Sequence, residues 1–424
     1  MKILQETKPF DRLIASKIFK PIALLVCGYM LFFQLVTLTF VIVALKGDAD
    51  FKQLYAAAYM VRTGHAHQMY NYQETARVER ELVGQDVTVL PFNHLAYEAL
   101  LVAPLSFFSY KTAFLIFFGV NVVLAYLCFV ILKPLFAHLG ELWKPLIYAP
   151  FLIFWPVVVT LREGQDSLLL LLAIILSFRF YDDKREFAAG VALALGLFKF
   201  NFVLPVTALF LLWKHWRFVK GFALGAATVG LTSLAVVGFG SWKTYGMYLL
   251  GMSTKLDDAG RKAYGVFPEL MSNLRGFVSG AIGSSASQMA IQAIVVAASL
   301  LLILWASRKK ESFALAACVA YLVSYHAFPH DQIILILPVA IVAAIAPQAS
   351  GRLLVSGALI IAMDTITAMA KIIPVWLLAI PVLYFAYEIG KVRFERPLML
   401  LSSGPWDSSR KFTARGSGGF SYCD

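Results

Sequence analysis

Long apolar stretches, broken by short polar segments, run from residue 22 to residue 390. They predict spanning or near-spanning helices over about 22–45, 112–132, 145–161, 166–181, 187–198, 203–213, 218–238, 287–307, 312–327, 331–346, 352–370 and 372–390, because a hydrocarbon core of roughly 30 Å needs about 20 apolar residues to cross it. A shorter apolar segment at 94–107 is left over. Residues 187–213 are interrupted by Lys199 and Pro205 and flanked by "DDKRE" and "KHWRFVK". Two short helices meeting near Lys199 fit that pattern, and interrupted apolar segments of this kind often line a cavity. Between the helices, Phe51, Leu54, Tyr55, Ala58, Tyr59 and Arg62 recur at helical spacing. They predict an amphipathic helix over 51–63, lying in the membrane interface and ended by Gly64.

Composition sharpens the class. The 424 residues are 60% hydrophobic and 15% charged, with a mean hydropathy of +0.74, which excludes an ordinary soluble domain. The chain reads as an all-α polytopic membrane protein of about twelve transmembrane helices with interfacial juxtamembrane helices. The net charge of +12 is accounted for by cytoplasmic Lys and Arg, not by a nucleic-acid partner. Cys27, Cys128, Cys318 and Cys423 show no CxxC spacing, so neither a disulfide framework nor a zinc site is suggested.

Charge also orients the chain. Residues 1–21 carry five Lys and Arg, and the apolar stretch that follows is too long for a signal-peptide core. With the amino terminus inside, 23 of the 37 Lys and Arg residues fall in short cytoplasmic segments and in the tail. The segment 94–107 is placed as a re-entrant or juxtamembrane helix, since a crossing there would put "RKK" at 308–310 outside. Residues 1–390 then form one transmembrane domain, with external loops at 46–111 and 239–286. The segment 391–424, Ser/Gly-rich from Leu400 onwards, is expected to be a cytoplasmic, disordered tail.

This topology gathers the unusual polar residues on the outer face: Asp48 and Asp50, "REGQD" at 162–166, Lys199 and Asn201, and "HAFPHD" at 326–331. Each has a plainer reading. Asp48 caps the 51–63 helix, Asp166 or Ser167 caps the next one, Arg162 pairs with Glu163, and Lys199 snorkels to the interface. His326, His330 and Asp331 lack a third strong ligand nearby, so no metal is expected. A glycosyltransferase, a lipid or glycan transporter (flippase) and a non-catalytic scaffold all remain compatible with these residues.

Four motifs in order narrow the choice. "DFKQLYAAAYMVRTGHAHQMYN", "PFNHLAYEALLVAPLSFFSY", "EGQDSLLLLLAI" and "AAGVALALGLFKFNFVLP" resemble the D-F-x-x-Y-x-A-A, Y-P-P…A-P-L, G-Q-N/D and A-G…K-P segments of glycosyltransferase family 87. Phe92–Asn93 replaces the usual double proline and Asn201 the proline expected after Lys199. The resemblance implies a C-type glycosyltransferase-like fold and transfer of a hexose, mannose first, from a polyprenyl-phosphate sugar to a lipid or glycan acceptor. It implies an enzyme of the bacterial inner membrane, with both termini cytoplasmic and an extracytoplasmic active site, needing no cofactor. It carries the general base onto Asp50. The same reading assigns Arg162, Lys199, His326 and His330 to the donor phosphate, and Asp48, Tyr55, Gln165, Asn201 and Asp331 to substrate.

Overall fold

The structure is a computed structural model that describes residues 19–39, 45, 47, 49–137, 151, 154–254, 264, 266–283, 287–345, 349–370 and 374–392. Asp48 and the tail beyond residue 392 lie outside the described residues. Among the described residues every regular element is helical. In chain order the α-helices are α1 (Phe19–Leu38), α2 (Phe51–Arg62), α3 (Tyr72–Leu82), α4 (Ala96–Val102), α5 (Tyr110–Leu132), α6 (Trp155–Glu163), α7 (Ser167–Asp182) and α8 (Glu186–Ala194). They continue as α9 (Phe200–Leu212), α10 (Trp216–Thr254), α11 (Leu274–Ile282), α12 (Gln288–Ser307), α13 (Phe313–Val323), α14 (Ile336–Ala344), α15 (Gly351–Ala370) and α16 (Ala379–Ile389).

The stretches Tyr110–Phe136, Trp216–Met252 and Gln288–Ser307 are long and apolar enough to cross a membrane, with α8 and α9 a fourth candidate if counted as one bent span. Their outer faces expose Val123, Tyr126, Leu231 and Leu301. Such apolar surface is stable only against lipid or another apolar partner. The spanning and near-spanning segments expected from the sequence are, among the described residues, helices of very unequal length. α8 has 9 residues, α13 has 11 and α7 has 16, against 23 in α5. α7 begins, and α8 and α13 end, beside one internal polar cluster.

α8 and α9 meet at a 68° bend, so the sequence pattern around Lys199 is borne out. α9 returns to the end of the molecule where α8 began: His215 Nδ1 lies 3.1 Å from Glu186 and Nε2 lies 2.8 Å from Glu311. Breaking a helix frees backbone groups that need partners. Tyr97 of α4 supplies them, its hydroxyl donating to the Leu195 carbonyl at 2.7 Å and accepting from the Phe198 N–H at 3.0 Å. α8 is pinned to α10 at van der Waals contact, where a Cβ on Gly190 would lie 2.0 Å from the Phe218 carbonyl oxygen. Only a small residue permits that approach.

The 94–107 segment forms α4 and a following helical turn, too short to count as a span. It starts at His94 in the polar cluster and ends at Phe108, whose carbonyl accepts from the Tyr55 hydroxyl at 2.7 Å. The predicted helix at 51–63 forms as α2, but it does not lie open in an interface. Phe51, Leu54, Tyr55, Ala56, Ala57, Ala58 and Met60 are buried, packed against α4, α5 and α10. Residues 239–254, expected as loop, are the continuation of α10 beyond a bend at Gly238, φ 77°.

Candidate active site

The residues that meet at the cluster come from five chain segments. Asp50 occupies the N-cap position of α2 without capping it; its side chain makes no bond to the helix N–H groups. Instead Oδ2 accepts from Gln165 Nε2 at 2.5 Å. Gln165 is held in turn by its carbonyl, which accepts from Asn121 Nδ2 at 3.0 Å. Gly164 makes this contact possible. It ends α6 in the left-handed region (φ 59°, ψ 44°), and a Cβ there would lie 2.8 Å from the Phe51 Cβ and 3.0 Å from the Phe114 ring. The turn at 164–165 therefore seats directly on the start of α2. Asn121 is three turns into α5, about 16 Å from its first residue at 1.5 Å per residue, so the site is recessed below that helix end.

Beside it lies a buried ionic network. Lys199 Nζ is 2.8 Å from Asp166 Oδ1 and 2.7 Å from Asp331 Oδ1, and it donates to Ser167 Oγ at 2.7 Å. Lys199 is 6% exposed. It does not snorkel, because Asp331 and Ser167 accept its hydrogen bonds and Asp166 pairs with its charge. Asp166 does not cap α7 with its side chain; it is drawn inward to Lys199 and to His94, whose Nδ1 is 3.0 Å from Asp166 Oδ2 and 2.6 Å from Glu98 Oε2. Burial on its own would lower the His94 pKa, but Glu98 and Asp166 outweigh it and lift the group to about 10. Asp331 Oδ2 accepts from the Phe328 N–H at 3.0 Å and lies 3.5 Å from His330 Nε2.

A cavity of about 580 Å³ opens onto these groups. Asp50, His94, Arg162, Gln165, Lys199, Asn201, His326, His330 and Asp331 contribute its polar wall, while Leu249, Met252, Phe267, Leu270 and Val375 contribute an apolar one. Asp50 is partly exposed to it, and among the described residues no hydrogen bond holds its Oδ1. Among the expected site residues, Arg162 is paired with the neighbouring Glu163, Nε to Oε1 at 2.8 Å, as its plainer reading had it. Asn201 is spent on Ser324 Oγ and the His326 carbonyl. Tyr55 is not brought to the cavity. It is buried between Phe51 and Tyr110, with its hydroxyl donated to the Phe108 carbonyl, and in this structure it packs beneath the helices.

Sequence reasoning missed His94 and Glu98, although their i, i+4 spacing in "HLAYE" places two titratable groups on one turn. His94, Glu98 and Asp166 each offer a ligand atom within 4.8 Å of the others, and they are the described residues most able to hold a metal. The imidazole Nδ1 already lies at hydrogen-bonding distance from both carboxylates.

The sequence profile of glycosyltransferase family 87 matches residues 97–329, more than half of the chain. That stretch contains the turn at 162–166, Lys199 and the 326–329 loop. The chain belongs to glycosyltransferase family 87. No curated protein and no solved structure matches it. Membership makes the protein a membrane glycosyltransferase, an enzyme that takes a sugar donor and an acceptor.

Proposed function

We propose that this family 87 protein transfers a hexose, mannose first, from a polyprenyl-phosphate sugar to a lipid or glycan acceptor, with Asp50 as general base. The observation that carries the reading is the placement of Asp50, a partly exposed carboxylate on the cavity wall whose one oxygen is oriented by Gln165 and whose other oxygen is open. A base within about 3 Å of the acceptor hydroxyl takes its proton as the oxygen attacks the anomeric carbon. The bond from that carbon to the phosphate oxygen breaks, and the polyprenyl phosphate leaves with the electron pair. One displacement inverts the anomeric centre.

The leaving phosphate gains charge, so donors aimed at it lower the barrier. Arg162, His326 and His330 stand on the cavity wall for this role; the planar Arg162 fork suits two phosphate oxygens. Lys199 acts one layer back, holding Asp166 and Asp331 in place. Gln165, Asn201 and Asp331 shape the sugar side. The apolar wall at Leu249, Met252, Phe267 and Leu270 gives the prenyl chain an oily path to the membrane.

The orientation follows from charge. His215, "DDKRE" and "RKK" at 308–310 lie at the end opposite the cavity, next to Glu186 and Glu311. A basic rim of that kind suits the cytoplasmic side, and this supports the reading in which the cavity faces the extracytoplasmic side of a bacterial inner membrane, with both termini inside and a C-type arrangement. The deciding experiment incubates purified protein with a radiolabelled decaprenyl-phosphate mannose and membrane lipid acceptors. Label moving to lipid with inverted linkage supports the proposal. Label moving only from a nucleotide sugar overturns it.

A further inference from the structure

We infer that His94 provides the charged hydrogen-bond donor for the phosphate of the lipid-linked sugar, the task the sequence pattern offers to Lys199. The inference rests on the transfer reaction proposed above and deepens it.

Lys199 and His94 stand beside the cavity in different states. The ammonium of Lys199 is saturated: Asp166, Asp331 and Ser167 all lie within 2.8 Å of Nζ. Turning it toward a ligand strips two buried carboxylates of their shared counter-ion, which a low-dielectric interior penalises heavily. His94 is anchored at one nitrogen only. Nδ1 sits between Glu98 Oε2 and Asp166 Oδ2, and among the described residues Nε2 has no partner. The side chain is 14% exposed, and it shares the cavity wall with Asp50, His326 and His330.

Asp166 and the Glu98 carboxyl, which burial and the Asp166 charge push up to about 8, hold the ring at Nδ1, and the ring keeps its second proton at Nε2 because loss of that proton removes the charge that the Asp166 carboxylate attracts. The raised pKa of about 10 agrees with this protonation state. Glu98 is 1% exposed and Asp166 is fully inside the network, so neither carboxylate reaches the cavity to repel an anion. Phe92 and Phe198 flank the ring, centroids 5.8 and 6.1 Å away, and limit its rotation. The result is a positioned N–H carrying positive charge, with its negative partners on the far side of the ring. A phosphodiester monoanion that becomes a phosphate dianion on leaving is the ligand that gains most from such a group; a neutral sugar hydroxyl gains less. Arg162, tied to Glu163, is then an auxiliary contact.

The test compares two lipids that differ only in charge. Full-length protein in nanodiscs is titrated with decaprenyl phosphate and with uncharged decaprenol. Wild type should prefer the phosphate. His94→Asn keeps a side-chain N–H directed at Glu98 and Asp166 but removes Nε2. It should lose about tenfold or more of its affinity for decaprenyl phosphate, as expected for a hydrogen bond to a charged group, while decaprenol affinity stays unchanged. A folded His94→Asn protein that retains wild-type preference overturns the role of His94 and leaves the transfer reaction standing. A wild type that does not discriminate phosphate from alcohol overturns both. Should the variant fail to fold, a structure of wild type with decaprenyl phosphate decides. A phosphate oxygen within about 3 Å of Nε2 is the hydrogen bond expected, and a phosphate bound elsewhere in the cavity removes the assignment.

Discussion

The side-chain amide of Gln165 donates to the carboxylate of Asp50 at 2.5 Å, across 115 positions of sequence. One oxygen of the carboxylate is thereby aimed and the other left open, the arrangement a general base needs. Asp50→Asn accepts the same hydrogen bond through its amide oxygen but takes no proton. Its turnover should fall by about 10²–10⁴, the range attributable to general base catalysis, with thermal stability near wild type. Initial rates of sugar transfer at equal protein level check this. Wild-type turnover would dismiss Asp50 as the base. Asp48→Asn is expected to retain substantial activity.

Lys199 neutralises Asp166 and Asp331 together. Removing one partner of a buried ionic network leaves uncompensated charge and costs about 3–5 kcal/mol. Lys199→Met should therefore show poor yield and a lower thermal midpoint, and a second change, Asp331→Asn, should restore part of the loss. Unfolding curves of the single and double variants in detergent measure it. A Lys199→Met protein as stable as wild type would mean that the network contributes little to the fold.

Glu79 of α3 is fully buried; its Oε2 accepts from the Leu90 N–H at 3.1 Å beside the cavity rim, and burial lifts its pKa to about 8. The folded carboxyl thus binds its proton more tightly than the unfolded one. Its stabilising contribution is complete below the ordinary carboxyl range, about pH 4.5, and is lost as pH rises through about 8. Glu79→Gln accepts the same bond and does not ionise. Thermal midpoints from pH 5 to 9 should decline more steeply for wild type than for the variant. Parallel curves would show that Glu79 does not titrate in this window.

Orientation is tested with single cysteines in a cysteine-free background. Glu81, exposed on α3, belongs to the cavity end, and Lys309 belongs to the opposite end. An impermeant thiol reagent added outside should label Glu81→Cys and spare Lys309→Cys. The reverse pattern would turn the protein over.

What the residues in order determined was local. Apolar runs specified helices because a chain surrounded by hydrocarbon must bond its own backbone. Lys199 marked the break between α8 and α9, since a charge does not continue an apolar helix without help, whereas Pro205 lies inside α9. Asp50, Gln165, Asn201, His326, His330 and Asp331 stood out as polar positions at helix ends, and the structure places all of them on one cavity. The tertiary structure decided the partners. Lys199 finds Asp331 across 132 positions, and whether a lysine snorkels or is saturated depends on carboxylates that no periodicity reveals. Tyr55 has the spacing of an interfacial contact, yet α4 and α5 cover it. His94 looks ordinary in its segment until Asp166 arrives from the turn after α6 and, with Glu98, fixes its charge. Short-range patterning sees one helix at a time. Charge state and accessibility arise only where several helices meet, because the energy of a buried ion is set by every group around it.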